Sequence, residues 1–192
     1  MLSSDVIRID WSEEVQPKVR TPLMNCAKVV LIGVFMASVI PARGWAAEDG
    51  PNILQLGVGG FDLVGEDDDG VEKNRSAAGL VELRFGDRLF HIGPALGVLA
   101  NVDGGVYGYG GLYADLSLGN FIITPLGAVG AYHQGDSKDL GGVLEFRASI
   151  TVAYAFANGS RLGIQVGHIS NAYLHNRNPG EEDAFLTYAL AF

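Results

Sequence analysis

Near the end of the chain, His168, Ser170 and Glu182 stand at spacings that suit an activated nucleophile. In an extended strand alternate residues point to the same side, so His168 and Ser170 project in parallel from Cα atoms roughly 7 Å apart. At that separation the imidazole reaches the hydroxyl as a general base, which a weak serine nucleophile requires. A carboxylate is then wanted to orient the second ring nitrogen. With the last hairpin centred near His175, Glu182 falls directly across from His168, and the Cβ atoms of such a pair lie about 5 Å apart. Glu181 has the opposite parity, so the face argument selects Glu182 over its neighbour. A lone outward histidine at a sheet rim is an ordinary interfacial polar residue; it is the common phase of all three that points to a serine esterase.

The elements that must carry these residues are strands. After Ala47 the chain reads as segments of about ten residues separated by turn signals, near 52–63, 77–86, 88–100, 106–118, 120–132, 142–156, 160–173 and 182–192. Gly86-Asp87, Gly119-Asn120 and Asn158-Gly159 read as tight hairpin turns, where Gly or Asn supplies a positive φ. Between them lie longer polar connections at 64–76, 101–105, 133–141 and 174–181, the first holding the acidic run Glu66-Asp67-Asp68-Asp69. Short turns at one end and longer loops at the other describe an all-β fold, an eight-stranded antiparallel transmembrane β-barrel with the long loops extracellular. Its lumen is narrow enough to be filled by side chains.

Alternation supports this reading. Over 142–156, Leu144, Phe146, Ala148, Ile150, Val152, Tyr154 and Phe156 share one face, and Glu145, Arg147, Ser149 and Thr151 take the other. A barrel in lipid turns the apolar set outward and leaves Glu145 and Arg147 to pair in the lumen with charges such as Glu82 and Arg84. Period two alone also suits a soluble sandwich; the leader, the turn pattern and the C-terminus select the barrel. The chain ends with Leu186, Tyr188, Leu190 and Phe192 in one phase, a pattern that resembles the signal read by the outer-membrane barrel assembly machinery. Leu162, Ile164 and Val166 share parity with His168 and Ser170, so the latter two also face outward. Burying polar groups in hydrocarbon is costly, and their place at the extracellular end of the strand, near the headgroups, reduces that cost. The tyrosines 107, 109, 113, 132, 154 and 173 divide between an interfacial girdle and lumen packing, and Pro125 inside a strand implies a bulge or a missing ladder bond.

Composition excludes several classes. The 192 residues carry a net charge of −9 and 27 glycines, so no basic stripe exists for nucleic acid. The only long apolar run, Val29 to Ala42, follows Lys18, Arg20 and Lys28 and precedes Gly44-Trp45-Ala46-Ala47. About fourteen residues fall short of the twenty or so that span a bilayer, and the arrangement describes a secretory signal peptide cleaved after Ala46, with Met24 as an alternative start. Domains are therefore expected at 1–46, the leader, and 47–192, the barrel. Cys26, the sole cysteine, lies inside the leader, which removes disulfides, cysteine nucleophiles and thiolate metal sites from the mature chain. His91, His133 and His175 have no partners in phase, and no metal site is implied. Arg177 and Lys138 fall in extracellular loops, as ordinary solvated charges or as contacts to lipopolysaccharide phosphates.

The stretch His168-Ile169-Ser170-Asn171-Ala172, followed by Asn178-Pro179-Gly180-Glu181-Glu182, resembles the signature of the PagL family of lipid A 3-O-deacylases. The resemblance implies an eight-stranded outer-membrane barrel with a His-Ser-Glu triad on its outer wall, acting without a cofactor on the 3-position acyl ester of lipid A. By motif position His168 matches the base, Ser170 the nucleophile and Glu182 the acid, and Asn171 a position implicated in the oxyanion hole. Tyr173 departs from the glycine of the family, whose backbone also serves that hole. The partners so implied are lipopolysaccharide, outer-membrane lipid and, during biogenesis, the assembly machinery; a homodimer is left open. A non-enzymatic barrel with a structural or adhesive role accounts for the scaffold but leaves the in-phase triad unexplained.

Overall fold

The computed structural model describes residues 47–64 and 75–192, with no account of the side chains of 47–49. The expected leader, Cys26 and the acidic run at 66–69 lie outside the described residues. The described chain forms eleven antiparallel strands: β1 (Ala47–Asp49), β2 (Ile53–Phe61), β3 (Ser76–Arg84), β4 (Asp87–Leu89), β5 (Ile92–Asn101), β6 (Val106–Ala114), β7 (Leu116–Leu118), β8 (Phe121–His133), β9 (Leu144–Ala155), β10 (Arg161–Ser170) and β11 (Glu181–Ala191). Eight of them form a ring in the order β5-β3-β2-β11-β10-β9-β8-β6, closed by the β5–β6 pairing. Closure leaves no unpaired edge in the ring, which a sheet spanning lipid requires. The eight-stranded transmembrane barrel read from the sequence is the fold observed.

Faces follow parity. Along β9 exposed and buried residues alternate throughout its apolar and polar positions, and Val58, Ile164, Val166 and Leu186 present more than half of their surface to the outside. The lumen is packed rather than open. Phe61, Leu80, Leu99, Tyr107, Tyr109 and Phe185 form part of an apolar and aromatic layer, interleaved with buried Gln55, Glu82, Arg84, Arg147, Thr151 and Gln165. Tyr107, Tyr109, Tyr113 and Tyr132 line this interior, whereas Tyr154 and Tyr173 are exposed.

Three expectations are corrected. The first short hairpin turns at Phe90-His91, with φ of 54° and 65°, and not at Gly86-Asp87. Gly86 is needed for another reason: a Cβ there would run into the Gly50 carbonyl. The lumen charges also pair differently. Arg84 donates to Glu82 on its own strand, at 2.7 Å, because residues two apart share a face. Arg147 instead reaches Asp183, and Glu145 has no ion-pair partner among the described residues. Finally, β10 stops at Ser170 rather than 173, because Ala172 and Tyr173 are left-handed, with φ of 51° and 62°. Pro125 lies within β8 where the ladder on one side passes from β6 to β7: Tyr113 pairs with Leu126 and Leu116 with Ile123, so on that side nothing stands opposite the residue that lacks an N–H, while on the other it faces Ile150.

Candidate active site

The β10–β11 ladder pairs His168 with Glu182 directly. On the other side of β10, Ala148 lies opposite His168 and Phe146 opposite Ser170. Both His168 and Glu182 face outward, their side chains 49 % and 42 % exposed. His168 Nδ1 lies 3.2 Å from Glu182 Oε1; with the proton on Nδ1 donated to the carboxylate, Nε2 is left as the acceptor that a general base needs. Ser170, two residues on and partly buried, makes no side-chain hydrogen bond among the described residues.

The chain turns sharply after the serine, and Asn171 holds the turn. Its side chain is wholly buried. Nδ2 donates to the carbonyls of Leu140 and Arg177, each at 2.8 Å. Oδ1 accepts the Tyr173 N–H at 3.0 Å, and the Asn171 N–H goes to Asn178 Oδ1 at 2.9 Å. Every donor of Asn171 is thereby spent inside the connection, so in this conformation it has none to offer a developing oxyanion.

Two features of the site were not legible in the sequence. Gly180 adopts φ +65°, and a Cβ on it would lie 3.1 Å from His168 Cε1, so its backbone lies against the imidazole. The chain after β2 also turns back onto the acid strand, where Leu63 N–H donates to the Glu182 carbonyl at 2.9 Å and Asp62 N–H to Glu181 Oε2 at 3.3 Å. Glu181 is buried on the lumen side, as its parity requires. The dipeptide Pro179-Gly180 was the available signal for the first feature; nothing local marks the second. Lys138 pairs with Asp62 at 2.7 Å and Arg177 lies 3.5 Å from Asp139.

The family model for lipid A 3-O-deacylase (PagL) matches residues 73–191, which take in all three site residues and seven of the eight ring strands. The chain belongs to the PagL family. Membership brings with it the family's activity, lipid A deacylation. Among solved structures, the crystal structure of the outer membrane enzyme PagL superimposes with a TM-score of 0.53 at 17 % identity, covering 73 % of this chain and 99 % of that one. At that identity the likeness bears on the fold alone. A de novo designed transmembrane β-barrel shares 12 % identity at a TM-score of 0.49, covering 76 % of this chain and 98 % of the design. No curated protein matches the chain.

Proposed function

We propose that this PagL-family chain is an outer-membrane serine esterase that hydrolyses the acyl ester at the 3-position of lipid A, with Ser170 as nucleophile, His168 as general base and Glu182 as the orienting acid. The observation that carries the reading is the direct register of His168 with Glu182 on the outward wall, with Nδ1 and Oε1 3.2 Å apart. Ser170 Oγ attacks the ester carbonyl carbon while His168 Nε2 takes the hydroxyl proton. The tetrahedral adduct collapses, the sugar oxygen leaves with that proton, and an acyl-serine remains. Water, deprotonated by the same imidazole, then releases a 3-hydroxy fatty acid and restores the serine. Glu182 stabilises the imidazolium formed in each half-reaction.

Asn171 supports this chemistry by fixing the turn that follows the nucleophile. The Ala172 N–H, one residue beyond, has no hydrogen-bond partner among the described residues and is the nearest main-chain donor left for the oxyanion. The apolar residues beside the triad, Phe146, Ala148, Val166 and Ala184, give an acyl chain a surface to lie along. On this reading the chain works in the bacterial outer membrane, and the assembly machinery reads β11 with the Phe192 that follows it.

The test is mass spectrometry of lipid A from cells making the wild-type chain or Ser170→Ala. The wild type shortens lipid A by one 3-hydroxyacyl group and the variant, folded to the same level, leaves it intact. Unchanged deacylation by the variant would sink the assignment.

A further inference from the structure

Behind the triad, on the lumen side of the same strands, lies the Arg147–Asp183 ion pair, both side chains completely out of contact with solvent. Arg147 belongs to β9 and Asp183 to β11, and β10 runs between them. Arg147 Nη2 donates to Asp183 Oδ1 at 2.9 Å, and Nη1 donates to Oδ2, so the contact is bidentate and fixed in direction. It passes over Gly167: a Cβ there would lie 2.5 Å from Arg147 Nη2 and 2.6 Å from Asp183 Oδ1. A side chain at 167 would push the two ends apart, so the glycine leaves the space in which they meet across the intervening strand.

Its place in the ladder gives the pair its significance. Gly167 faces Asp183 and the next residue, His168, faces Glu182. Asp183 and Glu182 are therefore consecutive residues on opposite faces of β11, one in the lumen clamp and one in the triad. Three carboxylates follow one another here, Glu181, Glu182 and Asp183, and a slip of one residue exchanges which of them faces outward. The ladder hydrogen bonds do not distinguish these registers; a directional buried contact does.

We infer that Arg147 and Asp183 are positioning residues, which clamp β9 to β11 across Gly167 and so hold Glu182 opposite His168. The inference rests on the triad reading given above. Among the described residues the other fully buried carboxylate–guanidinium pair, Glu82 with Arg84, joins two residues of β3 and makes no hydrogen bond to β10 or β11; Glu82 reaches Arg147 only through the Tyr109 ring and serves as the control.

The experiment is steady-state ester hydrolysis by the full barrel in detergent micelles, with folding followed by circular dichroism. Asp183→Asn and Gly167→Ala are expected to lower kcat by roughly tenfold to a hundredfold with KM changed by less than about twofold. Asp183→Glu recovers part of the loss, and Glu82→Gln leaves kcat as in the wild type. Leaving one charge of a buried pair alone is strongly destabilising, so where Asp183→Asn does not fold, Gly167→Ala and Arg147→Lys, which keep both charges, carry the test. Wild-type kcat in the folded clamp variants overturns the inference, as does an equal loss in Glu82→Gln. Ser170→Ala belongs in the same series: activity that survives it defeats the triad reading, whereas its loss beside unimpaired clamp variants defeats the clamp alone.

Discussion

The imidazole of His168 is held from two sides, by the Glu182 carboxylate at Nδ1 and by the Gly180 backbone against Cε1. Gly180→Ala strains a left-handed position by about 1–2 kcal/mol and pushes a methyl group into the ring. Its expected outcome is a barrel of near-normal stability whose ester hydrolysis falls roughly tenfold in kcat, measured against the wild type in micelles. Tyr173 shows the opposite situation, a bulky side chain held at φ +62°, at a cost in local strain. The parity of His168, Ser170 and Glu182 was legible in the sequence because the strand period assigns faces unambiguously. The sign of φ at 173 and 180 was not, since it depends on what the loop packs against.

The connection between β10 and β11 behaves as a built element rather than a slack loop. Asn171 joins it to Leu140 in the β8–β9 connection and to its own far end at Arg177 and Asn178. Asn171→Ala takes this partner from the Leu140 and Arg177 carbonyls and the Tyr173 N–H, at up to about 1–3 kcal/mol for a buried group. The expected result is local release: faster cleavage within 171–180 by a protease added to folded barrels, with strand content unchanged. Equal resistance to cleavage would remove Asn171 from its supporting role. Element boundaries were read well where a single turn type explained the glycine, as at Gly119 with φ +62°. They were misread at Gly86, where glycine answers to the Gly50 carbonyl rather than to a turn. A sequence shows that glycine is needed; only the packing shows which of its freedoms is used.

At the scale of the molecule, the barrel is defined by which side of each strand meets lipid. Ile164 is 61 % exposed on the outer wall of β10, in line with Val166 and His168. Ile164→Lys at mid-depth costs about 2–4 kcal/mol of folding free energy, read from urea titration in vesicles. A cost near zero would mean that this wall does not meet hydrocarbon. The overall architecture was legible because alternation, turn spacing and the terminal aromatic all agree on it. The lumen pairing was not, because Arg147, Glu145, Glu82 and Arg84 all face inward and only their depths and neighbours decide which meet. With that lumen packed shut and the site on the outer wall, no pore feeds the serine. The substrate arrives by drifting sideways within its leaflet, so the concentration that matters is a mole fraction in the membrane. In such a setting lipid is abundant and water is the scarce reactant, and the proposed triad, at the end of β10 that adjoins a longer connection, keeps both within reach.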